Sequence, residues 1–318
     1  MRSSRKNTGK GINEMLVIRG EAINDCGEDW FVFSRSKNTG MICVLDGCGG
    51  IGSRKYDEYE NKTGAYIASR VSANAIYEWF SEYNGTMSNN YIGSACQEIK
   101  KRIVKDLRGY EKDAGESLIK GSMTKSFPTT VSMVLFSEEA DIVKTSFVWA
   151  GDSRGFVLTE SGLMQMTKDD VEGESDAFDN LSDDSKLVNV VSANGNFELN
   201  HALFSFKKPV ILIAATDGCF GYFSTPMEFE YMMINSIIMS RSIEGWKSSV
   251  EKKLFQISGD DYTMSIAILG YKDWKSLRKS FGARKMELYD KYISKLNDER
   301  TDRYSLWAEY KNGYYRGM

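Results

Sequence analysis

Ile42-Cys43-Val44-Leu45-Asp46-Gly47-Cys48-Gly49-Gly50 carries an apolar run straight into an aspartate and a cluster of glycines. A short apolar run bounded by turn residues reads as a buried strand. The carboxylate at its end then sits at a rim where a cation can reach it. The same arrangement recurs along the chain. Val210-Ile211-Leu212-Ile213-Ala214-Ala215 runs through Thr216 into Asp217-Gly218. Asp260-Asp261 immediately precedes the apolar run from Thr263 to Leu269, and Glu28-Asp29 opens Trp30-Phe31-Val32-Phe33. Together these places suggest one oxygen-rich metal site assembled from distant segments.

Composition narrows the chemistry. The 318 residues allow one large domain or two small ones. Apolar residues make up 42%, an ordinary share for a soluble globular protein. The net charge of -3 gives no global pull toward nucleic acid or an anionic membrane, so neither partner is expected. Arg2, Arg5, Lys6 and Lys10 stand near the start, but no apolar stretch follows them, so no secretory signal is expected. No run is long enough for a transmembrane helix. The five cysteines, at 26, 43, 48, 96 and 219, are odd in number and scattered, with no CxxC. That argues against a disulfide framework or a structural zinc site and fits a reducing cytoplasm. The single histidine, His201, rules out a His-rich zinc centre. It sits in an alternating, strand-like stretch and reads as a surface or strand residue rather than a catalyst.

Residues 1–13 read as a flexible basic arm. Strands are expected near 15–22, 29–35 and 40–46, then at 129–137, 143–150 and 154–160, with Gly151-Asp152-Ser153-Arg154-Gly155 turning between the last two. Helical spacing of Ala65, Ala68, Val71, Ala75, Ile76 and Trp79 predicts a helix over about 58–83, and Ile92, Cys96, Ile99, Ile103 and Leu107 predict another over 91–108. The acidic stretch 168–186 reads as a solvated loop or flap. Further strands are expected near 187–191, 197–206, 209–216 and 263–271, with helices at 225–240 and 242–254. Two blocks of strands with paired helices between their segments imply an α+β fold with two sheets and outer helices.

The last 47 residues differ. Trp274, Leu277, Phe281, Leu288, Tyr292 and Leu296 recur at helical intervals, and Tyr304, Trp307, Tyr310, Tyr314 and Tyr315 follow. The plain reading is a terminal helical segment packed on the domain. The sharper one is a docking segment for a protein partner, so the organisation expected is an arm at 1–13, a domain at 14–271 and a helical, aromatic-rich extension at 272–318.

Oxygen ligands at strand ends favour hard cations such as Mg2+ or Mn2+. Two such ions close together clamp a phosphoryl group and lower the pKa of a shared water. Each Asp-Gly taken alone is more often a turn than a ligand. The ordered combination is far more specific.

In that order the chain resembles the PPM-type metal-dependent protein serine/threonine phosphatases, also called protein phosphatase 2C. The resemblance covers roughly residues 14–271. It is carried by Glu28-Asp29, Asp46-Gly47-Cys48-Gly49-Gly50, Pro128-Thr129-Thr130, Gly151-Asp152-Ser153-Arg154-Gly155, Thr216-Asp217-Gly218 and Asp260-Asp261-Tyr262-Thr263, with Met166-Thr167-Lys168-Asp169-Asp170 after the hairpin. It implies an α+β, protein phosphatase 2C-like β-sandwich of two antiparallel sheets flanked by helix pairs. It also implies hydrolysis of phosphoserine and phosphothreonine by a water bridging two Mn2+ or Mg2+ ions. By resemblance, Asp46 bridges the metals, and Glu28 and the Gly47 carbonyl complete one of them. Asp217 and Asp260 complete the other. Asp29 orients the attacking water, and Asp152 with Asp217 are candidates for a third, weaker metal. The implied partners are a phosphorylated protein substrate and an opposing Ser/Thr kinase or its targets.

Two positions depart from the pattern. Asn24 stands where many members place an arginine that holds the substrate phosphate, and an amide cannot form the charged bidentate pair. Arg19, Arg54 and Lys55 are the candidate substitutes. Cys48 stands where the family often has histidine, and a thiol is a poorer acid near neutral pH. Cys48 and Cys219 read most simply as small buried packing residues, with redox sensitivity as the alternative. Alternatives to a protein phosphatase are a pseudophosphatase used as a binding module, and a phosphatase for a small phosphate ester.

Overall fold

A computed structural model describes residues 11–113, 127–173, 176–181, 186–296, 298 and 300–316. The basic arm expected at 1–13 therefore lies almost wholly outside the described residues. Strands β1 (Ile12–Gly20), β2 (Trp30–Ser36) and β3 (Thr39–Leu45) come first. A one-turn helix α1 (Gly49–Gly52) and a short ribbon of β4 (Lys55–Tyr56) and β5 (Lys62–Thr63) lead into helices α2 (Gly64–Ser81) and α3 (Asn89–Asp113). Then come β6 (Val131–Glu138), β7 (Ile142–Ala150), β8 (Arg154–Thr159) and β9 (Gly162–Gln165), followed by β10 (Asn200–Lys207) and β11 (Val210–Ala215). Helices α4 (Pro226–Met239) and α5 (Ile243–Ile257) precede β12 (Tyr262–Tyr271). The extension forms α6 (Trp274–Ser280), α7 (Gly282–Leu288), a π-helical turn at Tyr289–Ile293, α8 (Ser294–Leu296) and α9 (Arg303–Tyr314).

The strands build two five-stranded antiparallel sheets, ordered β1-β12-β11-β8-β9 and β10-β7-β6-β3-β2. Alternation along β3 explains the layering. Ile42 and Val44 point into a core between the sheets with Val134, Phe147, Leu212 and Ala267. Met41, Cys43 and Leu45 point the other way, into a second core under α2 and α3. A third core joins the outer face of the β11/β12 sheet to α4, α5 and the extension, through Ile213, Ile266, Trp246, Leu277 and Trp307. A strand buried on both faces reads as an unbroken apolar run, which is why β3 and β11 stand out in the sequence. Each fully buried Ile, Leu, Val or Met side chain stabilises by roughly 1.5–3 kcal/mol relative to exposure.

Several expectations shift. The first strand starts at Ile12 rather than 15. Helix α2 begins at Gly64 rather than 58, because the Thr63 hydroxyl caps it by accepting from the Tyr66 amide at 3.1 Å. Residues 187–191 are not a strand. They hold single bridges only, Val171 with Leu187 and Thr129 with Val191. The four-residue β9 was not anticipated from the sequence. No helix among the described residues is long and apolar enough to cross a membrane.

The extension is locked on by a buried charge. Glu230 of α4 is wholly buried and accepts from Arg284 Nε at 2.8 Å and Nη2 at 2.9 Å, and from the Tyr310 hydroxyl. Glu230→Ala would leave the Tyr310 hydroxyl without its acceptor and the Arg284 guanidinium with Glu287 alone, and breaking a buried pair costs about 3–5 kcal/mol. We expect a fall of that size in urea denaturation, with Glu230→Gln intermediate because it keeps one acceptor oxygen.

Candidate active site

The carboxylates singled out from the sequence converge at one end of the sandwich. A cavity of about 1040 Å³ is lined there by Glu28, Asp46, Asp152, Asp217, Asp260 and Asp261, together with Gly47 and Cys48. Asp46 follows β3 and Asp217 follows β11, so interior strands of the two sheets deliver them. Asp152 sits in the turn that passes from β7 in one sheet to β8 in the other. Asp260 and Asp261 precede β12, and Glu28 precedes β2.

Hydroxyl and amide groups fix the backbone at each position. The Asp46 carbonyl accepts from Thr129 Oγ1 and the Thr130 amide, both at 2.7 Å, and the Asp46 amide donates to Thr130 Oγ1 at 3.1 Å. Pro128-Thr129-Thr130 thus staples the end of β3, while Thr130 Oγ1 also meets Ser153 Oγ at 2.7 Å in the turn that carries Asp152. Gly47 is required by crowding. A Cβ there would lie 2.7 Å from the Ala65 carbonyl oxygen. At Gly218 a Cβ would lie 1.9 Å from the Asp261 carbonyl oxygen, so only glycine lets the segment after β11 pass the start of β12.

Asp29 does not line the cavity. It is 1% exposed, and its carboxylate accepts from Thr216 Oγ1 at 2.8 Å, placing it behind Asp217. Thr216 Oγ1 in turn accepts from the Thr263 amide at 2.9 Å. The Glu28 carboxylate accepts from the Thr63 hydroxyl, and its own carbonyl accepts from Ser69 Oγ at 2.6 Å and Arg70 Nη1 at 3.3 Å.

The electrostatics are those of crowded anions. Burial, then the Asp217, Asp29 and Asp152 charges, hold the Asp46 carboxyl well above the ordinary carboxylate range. Burial raises the Asp217 carboxyl above its ordinary range as well. Burial pushes Asp152 up to about 8, aided by Asp217 and Asp169, and its Oδ1 is buried without a hydrogen-bond partner. Glu28 is raised by burial and by Asp261 and Asp260, against the opposing Thr63 bond.

This donor set fits hard divalent cations. It is all oxygen, anionic, and leaves a buried carboxylate oxygen unsatisfied. Among the described residues, no three Asp, Glu, His or Cys side chains are grouped so that they could hold an ion as they stand. The reason lies in the bonds just described. The Glu28 carboxylate turns to the Thr63 hydroxyl.

Sequence reading assigns no role to three contributors. Asp261 accepts from the Glu28 amide at 2.6 Å and the Ala22 amide at 2.8 Å, tying the 22–28 loop to β12. Arg70 of α2 donates to the Gly27 carbonyl at 2.8 Å as well as to that of Glu28. Lys186 is the cation among the described residues that line the cavity. Of the expected substitutes for the Asn24 position, Arg19 pairs with Glu21 at 2.5 Å and Arg54 lies 4.8 Å over the Tyr56 ring, and neither they nor Lys55 line the cavity. Of the two cysteines near the motifs, Cys219 is buried as anticipated and its thiol is pushed well up by burial. Cys48 is instead half-exposed and lines the cavity, because the turn after β3 carries it to the rim. His201 lies on β10 and does not line the cavity.

No family model matches the sequence, and no curated protein matches it. Solved structures do match. The serine/threonine phosphatase Stp1 from Staphylococcus aureus superposes with a TM-score of 0.59 at 16% identity, covering 85% of this chain and 99% of that one. The Mycobacterium tuberculosis serine/threonine phosphatase PstP/Ppp gives a TM-score of 0.55 at 14% identity, over 81% of this chain and 99% of that one. The PstP catalytic domain in complex with two manganese ions gives 0.53 at 14% identity, over 80% and 97%. The fold is therefore the protein phosphatase 2C-like fold that the motifs implied, and these three neighbours are serine/threonine phosphatases.

A raised carboxyl binds its proton more tightly folded than unfolded, so ionising it destabilises the fold. For Asp152 the ordinary value is 3.8 and the folded value about 8. Its contribution to the metal-free fold is thus favourable below about pH 4 relative to pH 8, and is lost progressively as pH rises between them. In EDTA, Asp152→Asn should gain thermal stability over the parent as pH rises from 5 to 8. Parallel melting curves across that range would contradict this.

Proposed function

We propose that the protein is a metal-dependent phosphatase that hydrolyses phosphoserine and phosphothreonine in proteins. The observation that carries this reading is the crowded cavity of carboxylates at the strand ends of a fold shared with serine/threonine phosphatases. By likeness to the PstP domain solved with two manganese ions, two Mn2+ or Mg2+ ions are the proposed cofactor. Glu28, Asp46 and the Gly47 carbonyl would hold one, and Asp46, Asp217 and Asp260 the other, with Asp152 available to a third. Two such ions, when bound, polarise a phosphoryl group and lower the pKa of the attacking water.

The chain's own residues do the rest. Asp29, fixed by the Thr216 hydroxyl and with its carboxyl held well above the ordinary range by burial, is proposed to orient the attacking water. Lys186, in the stretch read as the flap, adds a positive charge to the cavity lining, where a substrate phosphate needs a donor once Asn24 replaces arginine. Ile51, Leu187 and Val188 form an apolar wall beside it, and Val188 is 54% exposed. That wall suits the side chains flanking a phosphoresidue in a polypeptide better than a small phosphate ester. A Ser/Thr kinase, or its targets, would be the opposing partner.

The test is hydrolysis of p-nitrophenyl phosphate and of a phosphothreonine peptide, with and without Mn2+. Turnover should require Mn2+ and should fall in Asp46→Asn and Asp217→Asn by more than the roughly 10–100-fold that outer partners of metal ligands cost. Lys186→Ala should raise KM about three- to tenfold with kcat little changed, and Lys186→Arg should restore it. Wild-type protein that binds Mn2+ calorimetrically yet turns over neither substrate would overturn the phosphatase reading. Failure to bind Mn2+ at all would leave the fold as a binding module.

A further inference from the structure

We propose that helix α9 of the C-terminal extension positions the substrate-facing wall of the active site, with Trp307 and Tyr315 as positioning residues. The proposal rests on the phosphatase reading for its catalytic consequence, but its structural core is independent. Trp307 Nε1 donates to Asp176 Oδ2 at 2.7 Å, and the Tyr315 hydroxyl oxygen accepts from the Ala177 amide at 2.6 Å. Phe178 stacks edge-on against Tyr304 at 5.0 Å and tilts against Trp307 at 6.0 Å. Residues 176–178 are thus held by α9 and the residue after it.

The same stretch closes over a buried ion pair. Arg154 is 1% exposed and forks onto Asp169, with Nε to Oδ1 at 3.0 Å and Nη2 to Oδ2 at 2.6 Å. The Ala177 carbonyl accepts from Arg154 Nη2 at 3.4 Å, and Asn180 Nδ2 donates to Asp169 Oδ2 at 2.7 Å. Arg154 also lies 4.4 Å over the ring of Phe220, just beyond Asp217.

From this pair the connection runs to the cavity in two directions. Arg154 is two residues from Asp152, whose carboxylate lines it. Asp170, next to Asp169, accepts at Oδ2 from the Gly151 amide at 3.1 Å and from Asn189 Nδ2 at 2.7 Å. Its carbonyl accepts from the Val188 amide at 2.9 Å, and the Glu172 amide donates to the Lys186 carbonyl at 2.9 Å. Lys186, Leu187 and Val188 are the wall where the substrate would lie. Helix α9 therefore sits at one end of a continuous set of bonds that ends on the substrate wall, and its contacts lie in a segment outside the six phosphatase motifs.

Trp307→Phe and Tyr315→Phe each delete one polar group and keep the ring. Each should raise the phosphopeptide KM about fivefold, the scale of one net hydrogen bond, while kcat on p-nitrophenyl phosphate stays within about twofold. Amides of 177–181 should exchange with deuterium about fivefold faster, at a melting temperature close to the parent's. Asp176→Ala should exceed the effect of Trp307→Phe, because Asp176 Oδ1 also accepts from the Phe178 amide at 3.0 Å and the Asp179 amide at 3.2 Å, and Asp176→Asn, with one acceptor oxygen for both sets of donors, should fall between the parent and Asp176→Ala. Unchanged exchange at 177–181 would overturn the proposal, as would an equal loss of kcat on both substrates with a lowered melting temperature. If wild-type protein turns over neither substrate, the phosphatase reading fails and the exchange measurement alone decides the contact between α9 and this stretch.

Discussion

Mutual repulsion among carboxylates governs this end of the molecule. Glu28, Asp46, Asp152, Asp217, Asp260 and Asp261 share one cavity, with Asp29 directly behind it. Charges a few Å apart in a partly desolvated site interact far more strongly than in water. Folding tolerates this because the groups that fix the site are mostly neutral. Thr63, Thr129 and Thr216 donate to backbone or carboxylate oxygens without neutralising them, and the Thr130 hydroxyl accepts from the Asp46 amide. The nearest buried cation, Arg154, is already committed to Asp169. The negative charge is therefore left for something from outside, and it is most crowded at Asp46, whose carboxyl is held well above the ordinary range by burial and by the Asp217, Asp29 and Asp152 charges.

The sandwich makes the repulsion affordable. Asp46 and Asp217 are continuations of strands buried on both faces, so their backbones cannot retreat from one another without breaking the core between the sheets. Interiors packed to crystal-like density resist such movement. Asp152 is held where the chain changes sheets, and its turn is tied through Ser153 to the same Thr130 that fixes Asp46. One threonine thus sets the relation of two carboxylates contributed by different strands.

Much of this was legible in the sequence, for a physical reason. Strands β3 and β11 are buried on both sides, so their apolar runs are continuous, and the polar residues that interrupt them are the site itself. The unread parts depend on partners far along the chain. Asp261 stands beside Asp260 with nothing in the sequence to show its role, and its carboxylate holds the Glu28 amide 233 positions away. Lys186 lies in an acidic stretch that gives no hint of which charge faces the cavity. Residues 187–191 are apolar enough to suggest a strand, but single bridges replace a ladder because neighbouring polar groups bond to Asp170. The start of α2 was misplaced because the pattern of apolar residues does not reveal that Thr63 caps it.

The extension bears on the same principle. Its aromatic residues left two readings open, packing on the domain or docking a partner. Leu277, Phe281, Trp307, Tyr310 and Tyr314 join the core that covers the outer face of the β11/β12 sheet, so the stripe found in the sequence is spent internally. A partner would have to use what remains outward, such as Met286, Tyr289 and Tyr304, which are 59%, 47% and 61% exposed. Tyr304 already touches Phe178, so anything engaging it would also load the stretch that closes over Arg154 and Asp169. Burial of the stripe and the placement of the substrate wall are in this way parts of one arrangement. Ala177 and Phe178 are themselves buried in that core, so the helix that packs on the sheet holds this stretch by apolar contact as well as by hydrogen bonds.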